Sequence, residues 1–207
     1  MTDHRAYAPA TARNREPILA VLERVLPPSG LVLEISAGTG EHAAFFAAAL
    51  PHLTWQPTDR DERSLLSIAA HRDAAGLGEA AGLGNLLPPL VLDATAPIWP
   101  VARADAVVCI NMIHIAPWPA CEGLMAGAAR TLPPGGVLYL YGPYKEGGEH
   151  TADSNRRFDI DLQLRDPSWG VRNLEDVAAL AASHGFHLSE IVTMPANNRS
   201  LVFAKGV

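Results

Sequence analysis

The 207-residue chain reads as one α/β domain, an open and mostly parallel sheet covered by helices on both faces, and three observations carry that reading. First, Val32-Leu33-Glu34-Ile35 is a largely apolar run that ends in the small-residue turn Ser36-Ala37-Gly38-Thr39-Gly40, with helix-compatible sequence directly after it. Second, short apolar runs alternate with segments of helical periodicity. The most continuous run, Ala106-Val107-Val108-Cys109-Ile110, has the composition of a central strand buried on both sides. Third, Phe186 to Met194 and Leu201 to Ala204 read as strands joined only by Pro195-Ala196-Asn197-Asn198-Arg199. A parallel crossover takes about a dozen residues or more, so this last pair is antiparallel.

The elements follow in order. After a polar N-terminal segment, residues 1–14, the stretch from Arg15 to Leu26 places Ile18, Leu19, Leu22, Val25 and Leu26 on one helical face, and Pro27-Pro28-Ser29-Gly30 stops it. Leu31 to Ile35 is the first strand. The next helix, Glu41 to Leu50, buries Phe45, Phe46 and Leu50 and ends at Pro51. Leu53 to Asp59 is a second strand, and Asp61 to Ala74 a helix carrying Leu65, Leu66, Ile68 and Ala69. A Gly- and Ala-rich link leads to a third strand at Leu90 to Leu92. Asn111, Met112, Ile113 and His114 follow the fourth strand, Pro119 to Leu132 suits a helix, and Pro133-Pro134-Gly135-Gly136 turns into a fifth strand, Val137 to Tyr141. Residues 142–172 show no sustained periodicity and are rich in Gly, Asp, Asn and Arg, which predicts an irregular, lid-like insert. Asn173 caps a helix that Gly185 ends.

Composition narrows the partners. A net charge of -6 argues against non-specific nucleic-acid binding, which rests on clustered cations, and Lys145 and Lys205 are the only lysines. Cys109 and Cys121 have neither metal-ligand nor redox spacing, as expected in a reducing cytoplasm. Met1 to Arg13 lacks the apolar core of a secretion signal, and no run of ~18 apolar residues occurs, so no membrane partner is expected. The eight histidines form no H-E-x-x-H, and His184 and His187 straddle a helix end, so no metal site is expected.

The glycine turn and the strand ends carry the chemistry. Gly38 and Gly40 let the backbone turn tightly and a ligand lie on the amides of Ser36, Ala37 and Gly38. The residues after Gly40 are Glu41, His42 and Ala43, so the third glycine of a dinucleotide fingerprint is missing. Glu34 would repel a pyrophosphate yet attract the cationic amino acid part of S-adenosylmethionine. Asp59, about twenty residues beyond the turn and followed by Arg60, stands where an acid accepts ribose hydroxyls; its alternative is to cap the helix near Asp61. Asp93, followed by Ala94, is placed to accept from an adenine amine, or simply to close a turn. Asn111 and Met112 reach the same edge of the sheet from the fourth strand.

The turn resembles the E/D-x-G-x-G-x-G motif of class I S-adenosylmethionine-dependent methyltransferases, with Ser36 in place of the first glycine. That resemblance implies a Rossmann-like fold with seven strands in the order 3-2-1-4-5-7-6, the seventh antiparallel. More closely, Arg13 to Leu19, Leu33 to His42, Leu53 to Asp59 and Asp166 to Gly170 are similar to the uncharacterised family that includes methyltransferase-like protein twenty-six. Membership implies use of S-adenosylmethionine and leaves the acceptor open. The Asn-Pro-Pro-aromatic signature of base amine methylation is absent after Asn111.

Methyl transfer is an in-line displacement at carbon, so the protein mainly aligns a nucleophile and excludes water. An amine or thiol needs little more. A hydroxyl or carbon nucleophile needs a base, for which His114 is the candidate, against a packing role before Pro117 and Trp118. Tyr144 and Tyr7 are read as closing over the substrate or as packing aromatics. Arg13 and Asn14 are read as contacts to a carboxylate, with helix capping the alternative for Asn14. In the insert, Asn155 and Arg156 belong to a polar set suited to a small polar molecule, or to a solvated loop. The expectation is a methyltransferase acting on a small molecule. A nicotinamide oxidoreductase lacks its phosphate site here, while a non-catalytic cofactor-binding protein stays open because of Ser36.

Overall fold

Val32 and Leu33 are neighbours in sequence and face opposite sides of a sheet, which is the arithmetic that organises this molecule. The computed structural model describes residues 3–78 and 84–206. Its elements are α1 (Pro9–Val25), β1 (Gly30–Ile35), α2 (Glu41–Ala49), β2 (Leu53–Asp59), α3 (Glu62–Ala74), β3 (Leu90–Val91), β4 (Ala106–Ile110), α4 (Trp118–Thr131), β5 (Val137–Glu146), β6 (Glu149–His150), α5 (Asp153–Arg165), β7 (Arg172–Asn173), α6 (Leu174–Ser183), β8 (Phe186–Met194) and β9 (Asn198–Lys205). Residues 79–83 of the Gly- and Ala-rich link lie outside the described residues.

The main sheet runs β3-β2-β1-β4-β5-β9-β8. Strands β3, β2, β1, β4 and β5 are parallel, while β9 is antiparallel to β5 and β8 to β9. With β8 and β9 as its sixth and seventh strands, this is the order expected from the methyltransferase resemblance, but β6 and β7 also pair with the end of β5, so the described sheet has nine strands and not the expected seven. Alternation along the central strands builds two cores. Leu33, Ile35, Val107, Cys109, Leu138 and Leu140 pack with α4 and α6, whereas Val32, Val108, Ile110, Tyr139 and Tyr141 pack with Ile18, Leu22, Phe46 and Trp55. Burial on both faces is why β4 is apolar throughout.

Two stretches differ from the sequence reading. Helix α1 begins at Pro9 rather than Arg15, so much of the N-terminal segment is helical. Pro9 suits a first turn, and the positions that turn inward there are Thr11 and Asn14, whose polarity hides the helical period. The insert 142–172 is not irregular. It contains the end of β5, the β6 and β7 pairings, and α5, whose inward positions are Asn155, Asp159 and Leu162. A helix with a mostly polar buried face leaves no apolar stripe to read. Asp159 anchors it: the carboxylate takes Lys145 Nζ at 2.8 Å, His150 Nε2 at 3.1 Å and the Val171 amide at 2.7 Å.

Candidate active site

Parallel strands on either side of β1 carry the chain in opposite directions across the sheet, which leaves a crevice at the carboxyl ends of β1 and β4. Each of these strands is followed by a non-glycine residue with left-handed backbone, Ser36 (φ 56°) after β1 and Asn111 (φ 63°) after β4. Such a conformation costs about 1–2 kcal/mol, and two further instances, Ala196 (φ 57°) and Asn197 (φ 59°), lie in the turn between β8 and β9.

The two glycines of the turn have different work. A Cβ on Gly38 (φ 59°) would meet nothing within 4 Å, so its backbone faces open space. A Cβ on Gly40 (φ 85°) would lie 2.6 Å from Ile68 Cα, so that glycine lets α3 close on the turn. Asp59 braces the turn from β2: Oδ2 accepts from the Gly38 amide at 2.9 Å and Oδ1 from the Asp61 amide at 3.0 Å. The cap of α3 is Asp61, which accepts from the Ser64 amide at 2.9 Å. Asp59 is thereby left on the crevice instead of at the helix end.

A cleft of about 240 Å³ opens there. One side is polar, built by Ser36, Gly38, Asp59, Arg60, Asp61 and Ser64. Leu92, Asp93 and Ala94 form its end, and Ile110, Met112, Ile115, Ala116 and Ala120 an apolar wall. Asp93 Oδ2 stands 3.8 Å from Arg60 Nη1 across the rim. The backbone amide and hydroxyl of Thr95 hold the Asp93 carboxyl below its ordinary range, so it is charged at neutral pH.

Of the residues singled out as cofactor contacts, Ser36, Gly38, Asp59, Arg60, Asp93, Ala94 and Met112 line this cleft, and Glu34, Ala37, Gly40 and Asn111 do not. Ala37 is buried, its amide on the Thr58 carbonyl at 2.8 Å, and Gly40 lies under α3. Asn111 is half-buried at the end of β4. Glu34 is sealed beneath the turn, accepting from the Trp55 indole at 2.7 Å, and burial pushes its carboxyl up to about 7. Sequence reading did not name Asp61, Ser64, Leu92, Ile110, Ile115, Ala116 or Ala120 as site residues; for Ala116 and Ala120 the signal was a pair of small residues around the first turn of a helix that follows a central strand.

The residues named for chemistry and substrate lie elsewhere. His114 has no exposed surface, its Nδ1 accepts from the Arg172 amide at 3.4 Å, and burial, helped by the Arg172 charge, brings it down to about 3. Because Nδ1 is an acceptor, the neutral ring carries its proton on Nε2. The ring meets the Tyr144 ring edge-on at 5.0 Å, and Tyr144 is a fully buried core residue of β5. A base or a closing lid needs access to the cleft. Of the two roles open to each residue, packing is the one their placement fits.

Tyr7 is 63% exposed against the His71 ring, and Arg13 is exposed on α1. The segment before α1 instead straps α2 and α3, with the Ala6 amide on Ser67 Oγ at 2.8 Å and the Ala8 amide on Glu41 Oε2 at 2.6 Å. Asn14 is not a cap but a buried partner of His42 Nε2 at 2.8 Å. Asn155 is buried and donates to the Asn197 carbonyl at 2.9 Å, while Arg156 is exposed on α5. A second cleft of about 580 Å³ is lined by Trp118, Lys145, Val171, Arg172, Asn173, Asp176 and Ala179. Among the described residues no group of three or more His, Cys, Asp and Glu is placed to hold a metal, and no helix is long and apolar enough to cross a membrane.

The model of a family described as "Protein of unknown function (DUF938)" matches residues 5–205. Among solved structures, the chain is similar to an O-methyltransferase family protein from Burkholderia thailandensis, with a TM-score of 0.80 at 16% identity over 95% of this chain and 57% of that one. It is likewise similar to human N-acetylserotonin methyltransferase in complex with S-adenosylmethionine, with a TM-score of 0.77 at 15% identity over 96% and 53%. A third similarity is to CalO1, a methyltransferase of calicheamicin biosynthesis bound to S-adenosylhomocysteine, with a TM-score of 0.70 at 18% identity over 95% and 55%. At these identities the likeness is one of fold, and the chain spans little more than half the length of each structure.

Proposed function

We propose that this chain, which belongs to the DUF938 family of proteins of unknown function, is an S-adenosylmethionine-dependent methyltransferase for a small-molecule acceptor, with the cofactor in the first cleft. The observation that carries the reading is the cleft itself, whose lining joins the unobstructed Gly38 and the carboxylates of Asp59 and Asp93 with the apolar residues Leu92, Ile110, Met112 and Ile115. Asp59 would hold the ribose hydroxyls. Each of its oxygens already accepts one amide, and a carboxylate has lone pairs for more. Asp93 would accept from the adenine amine, with Leu92 and Met112 against the base. Ser36 and Gly38 would seat the amino acid part. The cofactor supplies a methyl group on a positively charged sulfur. With His114 and Tyr144 sealed, the chain's own residues bind, orient and exclude water, and the acceptor's proton leaves without a histidine base.

The same sealing of His114 favours a second reading, a protein that binds the cofactor for sensing or assembly without turnover. The fold likeness to solved methyltransferases supports the enzyme, and the motifs quoted for the resemblance to the family of methyltransferase-like protein twenty-six fall on α1, β1 with its turn, β2, and the loop before β7. We read residues 1–207 as one domain working in the cytoplasm; Cys109 and Cys121, both free and buried, fit a reducing compartment.

Thermal unfolding with S-adenosylmethionine, S-adenosylhomocysteine and NAD in parallel tests the assignment. The first two should stabilise the fold by about 2.7 kcal/mol at a hundred times their dissociation constant, and NAD should not. A shift with NAD alone overturns it. Asp59→Asn, which keeps one acceptor oxygen but loses the charge, should weaken S-adenosylhomocysteine binding about tenfold or more, and because it also gives up one of the two amide bonds that brace the turn it should lower unaided stability by about 1–3 kcal/mol. Unaltered affinity removes Asp59 from the site.

A further inference from the structure

From the seam between α4 and the loop after β3 we infer that Gly123 and Gly127 are positioning residues for adenine recognition: they let that loop seat against the helix, and the seat fixes the Asp93 carboxylate that reads the adenine amine; this rests on the methyltransferase reading. Glycine weakens a helix interior, yet α4 carries two, one turn apart on a single face. Close approach of the loop accounts for both. A Cβ on Gly123 would press into the Ala94 carbonyl, 2.8 Å from its carbon and 2.9 Å from Thr95 Cα, and a Cβ on Gly127 would enter the Trp99 indole. Ala94 and Trp99 are buried, so loop and helix meet in a packed contact.

Asp93 is tied to this seam. Its carbonyl accepts from the Ala96 amide at 3.0 Å, closing a turn over Ala94 and Thr95, and its Oδ1 accepts from the Thr95 amide at 2.9 Å and hydroxyl at 2.7 Å. Across the same loop, Trp99 Nε1 donates to the Ala94 carbonyl at 3.4 Å. The carboxylate therefore follows the Ala94 and Thr95 backbone, which is the part of the loop that lies on Gly123. Its other oxygen, Oδ2, has Arg60 Nη1 at 3.8 Å, beyond hydrogen-bond length, and so keeps its lone pairs for the amine.

Ala94 of the loop and Ala120 of α4 both line the first cleft, so the seam runs to its edge. A shift at Gly123 moves Asp93 relative to the apolar wall that Ala120 belongs to. A carboxylate accepts from an amine and repels a carbonyl oxygen, and a placed hydrogen bond discriminates only while its geometry holds. The glycine pair thereby sets selectivity for adenine over a base with oxygen in place of the amine, without touching the ligand.

Calorimetric titration of the whole chain with S-adenosylhomocysteine and with S-inosylhomocysteine, whose base carries a carbonyl where adenine has its amine, tests this without requiring turnover. The parent chain should prefer the adenine compound about tenfold or more. Gly123→Ala should cut the preference to about twofold or less, mostly by weakening the adenine compound, whereas a loss of folded protein would weaken both alike and leave the ratio unmoved. In an Asp93→Ala background the same substitution should leave the ratio as it stands; a further change there means that α4 acts by a route other than Asp93 and overturns the inference. Trp99→Phe, which draws the indole away from Gly127 and removes the donor to the Ala94 carbonyl, should lower the preference about threefold and supplies the readout where the alanine variant does not fold. A Gly123→Ala chain that keeps the parent preference, or a Trp99→Phe chain that keeps it where the alanine does not fold, overturns the positioning role. A parent that binds both compounds equally overturns the role of Asp93 and this inference while the cofactor reading stands. A parent that binds neither sinks both.

Discussion

At the scale of single residues, the turn after β1 separates what glycine does for a ligand from what it does for the fold. Gly38→Ala places a methyl group in open space at φ 59°, a left-handed cost of about 1 kcal/mol, and should mainly weaken S-adenosylhomocysteine binding. Gly40→Ala adds a backbone collision with Ile68 to the same penalty, so urea unfolding should show a loss of more than about 2 kcal/mol. Equal losses for the two variants would mean that α3 yields and that the distinction is false. The sequence named both glycines but could not divide these roles, because the division depends on where α3 comes to rest. Glu34 is a similar case. Its acidity was legible, whereas its partner, the Trp55 indole from the neighbouring strand, is set by parallel register.

At the scale of elements, legibility followed apolar periodicity. The strands β1, β2, β3, β4, β5, β8 and β9 and the helices α2, α3, α4 and α6 were recoverable from runs or faces that are apolar or small. Helix α5 was not, because its buried face is built from Asn155, Asp159 and Leu162. The consequence is that α5 is held by polar anchors and not by hydrophobic area. Burial works against ionisation of Asp159, but the Lys145 ammonium and the Val171 amide outweigh it and keep the carboxyl below its ordinary range. Asp159→Ala removes the acceptor for both, and should raise amide exchange through α5 and the β5–β6 turn at least tenfold while leaving β1 and β4 protected. Unchanged exchange in α5 would show that Leu162 alone suffices to hold the helix.

At the scale of the whole molecule, three sealed groups dominate the pH dependence of folding between pH 5 and 7, above the range in which the lowered carboxylates such as Asp93 and Asp159 titrate, and two of them oppose the third. His42 and His114, lowered chiefly by burial to about 4 and about 3, stay neutral in the fold, while in the unfolded chain they bind protons below about 6.5. Their contribution is present above that value and is lost as pH falls. Glu34, raised by burial to about 7 from an unfolded value near 4.5, keeps its proton in the fold, so its contribution is lost as pH rises through that window. Around pH 5.5 the unfolded chain holds two extra protons on histidine and the folded chain one on Glu34. The balance is one proton, and stability should rise with pH by about 1.4 kcal/mol per unit there. The histidine and carboxylate slopes cancel near pH 7, where stability should peak. Glu34→Gln preserves an acceptor for the Trp55 indole and removes the opposing proton, so its slope near pH 5.5 should be about double that of the parent chain. Urea titrations of both proteins between pH 5 and 7 measure this directly. A parent stability that falls with rising pH, or a Glu34→Gln slope no steeper than the parent, would place the dominant proton on a group other than these three.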